Sequence, residues 1–449
     1  MPIMDRNTVI GFSLIFLILA GYYWYTAPTP EELARMQDMR DSVALVEKRV
    51  QDSIAQISSS EASSTEKIVQ DSSVNAPSKS QELASFEKGK DSIIELKNSH
   101  LTLRFNTQGG RLNSVKLNQH NGLALKRSDK SDLELLVDGK NDMSWSWSDQ
   151  LGQELNSKDF FWEIHEQTDS VIAFRLTVKD NQYLEQRYVL SESKPYVVDY
   201  NVNVVGFSDY VRRGNSDFRF DWAATLQKQE RDMKWEEQHT AIVYKLPEES
   251  PTSLQTIDQA EELLKSPVKW IAFKQQYFTA LIGSDADISS DAKLTMKMKS
   301  DQADSFDIKP LSARIFMEYK GEQSRNGNFH FYFGPNHYKT LENTNIGFAN
   351  AELERIVPLG WGIFGWVNRG IVIPVFSALD GIIGSTGIII MLLTIIIKTL
   401  FLPLVYKSYI STAKMRILKP EIDAIKEKHG NDLQKTQQEN MALYKKAGV

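Results

Sequence analysis

The chain has 449 residues, 41% of them apolar and 24% charged, with a formal net charge of −6. That length calls for two or three folding units, and the acidic balance excludes a general nucleic-acid binder. Cysteine is absent, which excludes a disulfide framework, a cysteine zinc site, a thiol nucleophile and a lipoprotein anchor.

Between Arg6 and Glu31 lie 24 uncharged residues, with an apolar run from Val9 to Ala20 followed by Tyr22, Tyr23, Trp24 and Tyr25. About 20 apolar residues cross the hydrocarbon core, and the aromatic cluster suits the headgroup belt. A cleavable signal peptide competes with an anchor. Bulky aromatics follow the apolar run, however, and Pro28 follows the late small residue Ala27, so residues 1–28 are expected to be an uncleaved transmembrane anchor. Thr29, Pro30 and Glu32 then read as an N-cap, a first-turn proline and a capping-box glutamate. A helix is expected over 29–57, where Met36, Val43, Val50 and Ile57 recur every seven residues with Met39 and Val46 between them. The stripe either packs on a partner or is the weak face of a charged stalk. Residues 58–90, rich in Ser, Gln, Glu and Lys, are expected to be a disordered linker.

From residue 91 to 348 the pattern becomes short alternating runs, such as Leu101 to Phe105, Phe174 to Val178 and Tyr200 to Val204. Period two with β-branched and aromatic residues predicts strands, punctuated by turn signals at Gly109-Gly110, Asn121-Gly122, Asp138-Gly139 and Asn326-Gly327. A large antiparallel sandwich follows, with a helix expected only around Leu254 to Leu264. The region has no phosphate-binding glycine loop, no H-E-x-x-H pair and no G-x-S-x-G elbow. Glu163 with His165, and His330 with His337 around Gly334-Pro335, lack ligand spacing and read as ordinary surface or core residues. Trp145 and Trp147 read as a half-buried strand face, with a carbohydrate-stacking platform as the competing reading.

Gly381 to Tyr406 is 26 residues with Lys398 as its only charge, and a transmembrane helix is expected over 384–406. The preceding segment, Ile356 to Leu379, is also apolar, but carries Arg369, Asn368, four glycines, Pro358 and Pro374. Residues 407–449 hold nine Lys or Arg against five Asp or Glu, a net of +4. With a cytoplasmic N-terminus and two spans this basic tail stays inside, so 356–380 is expected to lie flat as an interfacial amphipathic helix. The glycines between Asp380 and Gly387 then form the corner into the span.

Lys398 sits about two-thirds of the way through that span, where an ammonium costs about 2.5–3.5 kcal/mol on insertion scales. Snorkelling is one reading, since Lys407 follows nine positions later and a long side chain reaches toward the interface. The other is a cation facing a water-filled cavity, with Thr394 one turn earlier on the same face. Pro403 is expected to bend or end the membrane helix. Beyond it, Pro420 starts a short helix through Lys428, His429 to Asp432 breaks it, and Leu433 to Lys446 forms a second. The result is a helical hairpin over 407–449 whose contact face is assigned to Ile422, Ile425, Met441 and Leu443.

These residues resemble a known family along the whole chain. Thr394 to Lys398 through Pro403-Leu404, Ala413-Lys414-Met415-Arg416, Leu418, Pro420 and Ala442 to Lys445 are similar to the first core helix and cytoplasmic hairpin of the membrane protein insertases related to the mitochondrial oxidase-assembly and chloroplast Albino proteins. Asn106 to Gly110, Gln275 to Phe278 and Phe333-Gly334-Pro335 resemble that family's periplasmic β-supersandwich. The fold class implied is a membrane protein with transmembrane α-helices, a large all-β periplasmic supersandwich domain and a cytoplasmic helical hairpin.

The resemblance implies a multi-pass protein of the bacterial inner membrane, not an enzyme and without a cofactor. It would insert and help fold nascent membrane proteins through a charged intramembrane groove, with or without the Sec translocon. Lys398 and Thr394 take the groove positions, lysine standing where the family usually has arginine. Lys414, Arg416, Lys419, Lys445 and Lys446 form the implied cytoplasmic contact. The partners implied are nascent membrane proteins, the Sec translocon and its accessory subunits, the ribosome and membrane lipids. Further membrane helices are expected after the hairpin, which the sequence to Val449 does not contain. The alternative is a membrane-anchored sandwich that binds or processes carbohydrate.

Overall fold

The computed structural model describes residues 83–121, 132–212, 218–254, 260–297, 306–360, 362–429 and 432–447. The anchor 1–28, the helix 29–57 and all but the last residues of the linker 58–90 lie outside these described residues.

The strands are numbered in chain order. A first antiparallel meander comprises β1 (Ile93–Lys97), β2 (Leu101–Asn106), β3 (Arg111–Asn121) and β4 (Asp132–Leu136), paired in that order. Then follow β5 (Asn141–Ser148), β6 (Glu154–Asn156), β7 (Glu163–Gln167), β8 (Val171–Lys179), β9 (Gln182–Leu190), β10 (Val197–Val205) and β11 (Phe218–Gln227). After helix α1 (Met233–His239) come β12 (Ala241–Lys245), β13 (Thr252–Leu254), β14 (Ala260–Leu264), β15 (Trp270–Lys274) and β16 (Phe278–Gly283). The β series closes with β17 (Ala292–Met296), β18 (Asp307–Met317) and β19 (Ser324–Pro335). A nine-stranded sheet runs β13-β12-β15-β16-β19-β10-β9-β8-β7, and a six-stranded sheet runs β14-β17-β18-β11-β5-β6.

Alternation places the core. On β10, Val198, Tyr200, Val202 and Val204 are fully buried, while Asp199, Asn201 and Asn203 between them are only partly covered. Across the two sheets, Trp145 on β5 lies 5.6 Å from Phe329 on β19, Phe220 on β11 lies 6.5 Å from Tyr200 on β10, and Phe331 on β19 lies 6.2 Å from Trp222 on β11, measured between ring centroids. Trp222 on β11 lies 4.2 Å from Phe273 on β15. Phe105 on β2 meets Tyr188 on β9 at 4.7 Å. The four-stranded and six-stranded sheets therefore lie side by side over one face of the nine-stranded sheet. The amide of Asn141 joins them by donating to the carbonyls of Leu112 and Asn113.

Two expectations are corrected here. The segment Leu254 to Leu264 holds no helix among its described residues; its ends are the strands β13 and β14. Ala260 to Leu264 pairs antiparallel with β17, so edge pairing overrides the helical preference of alanine, glutamate and leucine. Trp145 and Trp147 are not half-buried but 1% and 2% exposed, inside the sandwich. Two sheets share the same face of the third, so the surface expected to be half covered is closed, and the carbohydrate platform is lost with it.

After β19 come α2 (Tyr338–Asn343), a 3₁₀ turn (Leu353–Ile356) and α3 (Gly362–Val367). A π-turn (Asn368–Val372) leads into α4 (Ile373–Asp380), which is followed by α5 (Thr386–His429) and α6 (Leu433–Ala447). Gly362–Asp380 and Thr386–Pro403 are each long and apolar enough to cross a membrane. Pro403 and Pro420 neither end nor start a helix, since α5 continues through both. Each proline removes one i to i−4 bond from a 44-residue helix, a local loss of about 3 kcal/mol that intact turns on either side bridge.

Candidate functional site

The sandwich motifs turn out to be structural. In Asn106 to Gly110 both glycines adopt positive φ, 88° and 58°, and a Cβ on Gly110 would sit 2.9 Å from the Phe174 side chain. Their carbonyls are read by β9: Gln186 Nε2 donates to Gly109 O at 2.8 Å and Tyr188 OH to Gly110 O at 3.2 Å. Tyr188 stacks on Tyr200 at 4.5 Å, Tyr200 OH donates to Gln186 Oε1 at 2.7 Å, and Trp145 Nε1 donates to Tyr200 OH at 2.6 Å. This buried chain of polar groups links all three sheets. Burial, followed by the neighbouring Tyr200, pushes the Tyr188 hydroxyl well above its ordinary value, so both rings remain neutral hydrogen-bonding groups.

The other two motifs meet each other. Asn336, just after Phe333-Gly334-Pro335, donates Nδ2 to the carbonyls of Gln275, Gln276 and Phe278, and accepts from Thr279 Oγ1 at 2.5 Å. Of the histidines singled out, His330 Nδ1 lies 2.8 Å from Asp199 Oδ1 and His337 Nδ1 lies 2.9 Å from Thr340 Oγ1. Glu163 and His165 are exposed on β7.

The segment leading from the sandwich to the apolar helices is strapped to the outer face of the nine-stranded sheet. Trp270 Nε1 donates to Ala351 O at 2.7 Å, and Ile346, Leu353 and Ile356 are buried. Lys245 Nζ, in a side chain only 3% exposed, reaches Glu352 Oε2 and the Glu249 carbonyl, both at 2.7 Å. Arg355 pairs with the other Glu352 oxygen at 2.8 Å. Lys245 and Glu352 lie 107 positions apart and Trp270 and Ala351 lie 81 apart, so no periodicity signals these pairs in the sequence. Glu352→Ala leaves the Lys245 ammonium buried without its carboxylate and is expected to cost about 3 kcal/mol, the low end for breaking a buried pair. A urea melt of the variant reads this directly, and an unchanged midpoint would show that solvent replaces the carboxylate.

Along α5, Thr394 and Lys398 stand one turn apart on the same face and both are exposed. Thr394 Oγ1 donates to the Ile390 carbonyl at 2.8 Å. Farther on, α6 folds back along α5, and Lys414 Nζ donates to Ala447 O at 3.0 Å. Lys445 and Lys446 precede that carbonyl in the chain, so the hairpin brings them close to Lys414, whereas Arg416 and Lys419 point outward along α5. At the turn, Glu439 Oε1 lies 3.1 Å from Lys428 Nζ and 2.9 Å from His429 Nε2. Its pairing with Lys428, then with His429, holds the carboxyl below the ordinary value. The expected seam needs a correction: Ile422, Ile425 and Leu443 are half-buried, but Met441 is 66% exposed. Among the described side chains of α6, Thr436 and Asn440 are buried, so the stripe runs 436, 440, 443, and Met441 projects about 100° away from Asn440.

Comparison with known proteins follows this geometry. Residues 93–373 match the family described as the YidC periplasmic domain, and residues 378–449 match the 60 kDa inner membrane protein family. The membrane protein insertase YidC of Phocaeicola vulgatus is 31% identical over 456 residues, an alignment covering 99% of this chain and 70% of that protein. Membrane protein insertase YidC of Bacteroides fragilis is likewise 31% identical, with 99% and 70% covered. That of Porphyromonas gingivalis strain W83 is 31% identical, with 99% and 71% covered. Among solved structures, a galactose mutarotase related enzyme from Lactobacillus acidophilus aligns with 54% of this chain and 97% of its own at 10% identity, with a TM-score of 0.34.

Proposed function

Because the chain belongs to the YidC family of membrane protein insertases, we propose that it inserts nascent inner-membrane proteins through a polar groove in which Lys398 is the receiving cation. The observation that carries this reading is a single ammonium in an otherwise uncharged span, sharing a helix face with a threonine one turn away. No bond is made or broken. The groove shortens the hydrophobic barrier, the cation attracts polar or acidic substrate segments, and apolar segments then partition into lipid.

In this proposal the N-terminus and residues 407–449 are cytoplasmic, and the sandwich is periplasmic. The basic end of the hairpin, which carries Lys414, Lys445 and Lys446, faces the ribosome or lipid. The Sec translocon is a further partner, reached from the periplasmic side. Gly362–Asp380 lies along the outer interface: Ile363, Phe364 and Trp366 are more than 60% exposed on α3, and such a face seats at the headgroup boundary.

Site-specific photocrosslinking tests the face assignment. With a probe at Thr394 of the full-length protein, a stalled nascent membrane protein should crosslink. With the probe at Ile396, about 200° around the helix, lipid should be labelled instead. Equal crosslinking from both positions would overturn the groove.

A further inference from the structure

The turn between β9 and β10 and helix α2 enclose a cleft of about 360 Å³ that the insertase reading does not use. Its polar lining includes Ser193, Lys194, Lys339, Thr340, Asn343 and Asn345, and among the described residues no carboxylate lines it. The turn is held in shape by Pro195 and by Tyr196, whose φ of 71° lies in the left-handed region that bulky residues rarely occupy.

Both lysines are available to an anion. Lys194 Nζ donates to Asp199 Oδ1 at 3.1 Å and Oδ2 at 2.9 Å, and Asp199 also takes His330 at 2.8 Å. Burial raises the Asp199 carboxyl, but the hydrogen bonds from His330 and Lys194 outweigh it and hold the group below its ordinary value. The carboxylate is thus shared between two donors and fixes the Lys194 ammonium in place, and a lysine's third N–H is left over. The Lys339 ammonium pairs with Glu342 at 3.2 Å in an exposed i,i+3 pair. Such a pair is worth about 0–1 kcal/mol and exchanges readily for a better anion.

The position of the cleft identifies the ligand. Helix α2 packs against the 3₁₀ turn Leu353–Ile356, and Asn368 of the π-turn donates Nδ2 to the Leu359 carbonyl at 2.7 Å, so the chain that enters Gly362–Asp380 leaves from beside α2. Two ammonium groups with hydroxyl and amide groups beside them, next to an interfacial helix, match a phosphodiester carrying a polyol.

We propose that this cleft binds the headgroup of an anionic phospholipid, an inference that rests on the interfacial placement of Gly362–Asp380. The test reconstitutes the full-length protein in phosphatidylcholine vesicles with and without phosphatidylglycerol and follows amide hydrogen exchange. Phosphatidylglycerol should slow exchange in 191–197 and 338–345 by about tenfold, the factor for a ligand near ten times its dissociation constant. The double variant Lys194→Gln/Lys339→Gln should lose this protection, and Lys320→Gln, a distant exposed lysine, should keep it. Equal protection in both vesicles, or protection that survives the double variant, overturns the proposal. Protection by soluble glycerol phosphate but not by phosphatidylglycerol also overturns it, because the source is then a free anion. Substrate insertion measured in the same vesicles separates this failure from failure of the insertase reading, since the two lysines lie outside the groove.

Discussion

Lys398→Ala is expected to lower insertion of a small membrane protein with an acidic hydrophilic segment by about tenfold or more, while Lys398→Arg keeps most of the activity. Two unit charges about 4 Å apart attract by about 4 kcal/mol at an effective dielectric constant near 20. Desolvation and side-chain ordering consume part of that gain, and each remaining 1.4 kcal/mol is about a factor of ten. Arginine preserves the charge on a planar fork of different geometry, so most of the activity should remain. Snorkelling makes the opposite prediction, because alanine then removes a cost of about 2.5–3.5 kcal/mol from the span and leaves insertion intact. The measurement is insertion in cells depleted of their own insertase, with the variant expressed to wild-type level. Alanine working as well as lysine would remove Lys398 from the site.

Trp145→Ala is expected to destabilise the sandwich by about 3–5 kcal/mol, the range for truncating a large core aromatic. For a domain of this size that lowers Tm by roughly 6–20 °C. The indole is 1% exposed, touches Phe220 and Phe329, and donates to Tyr200 OH. Its removal opens a cavity and leaves the polar chain to Gln186, Tyr188 and the Gly109-Gly110 turn one donor short. Trp145→Phe separates the two contributions, since it keeps most of the volume and loses the N–H. It should cost about 1–3 kcal/mol, and much less when Tyr200→Phe is already present, because the hydroxyl that needed a partner is gone. Additive losses in the double variant would show that the bond to Tyr200 contributes nothing to stability. A calorimetric scan of the full-length protein measures each case.

The legible part of this protein is the part set by local geometry. A strand alternates every two residues and a bilayer requires about 20 apolar ones, so the β-rich region, the apolar segments near the C-terminus and the isolated charge at Lys398 can all be read from neighbours along the chain. The sandwich motifs of the family resemblance were legible for a related reason, because they occupy turns where a glycine or an asparagine has a specific task. Gly109 and Gly110 adopt positive φ, and Asn336 caps the turn at Gln275 to Phe278.

What only the tertiary structure decided is how distant segments meet. Whether Trp145 lines a half-open face or a closed core depends on two sheets covering one face of a third, and no run of residues around it carries that arrangement. The helix expected near Leu264 became an edge strand because β17, thirty positions away, offers backbone partners. Pro420 reads locally as a helix start, yet α5 passes through it, since the turns on both sides hold. The pairing of Asp199 with His330, of Lys245 with Glu352, and of the Lys194 turn with α2 all depend on which strands end as neighbours. The sequence by itself therefore determined the alternating strand region, the apolar helical segments, the family and the isolated charge at Lys398. The buried polar chain, the strap and the cleft beside α2 exist only once long-range pairing has closed, because their parts share no local period that a linear reading can detect.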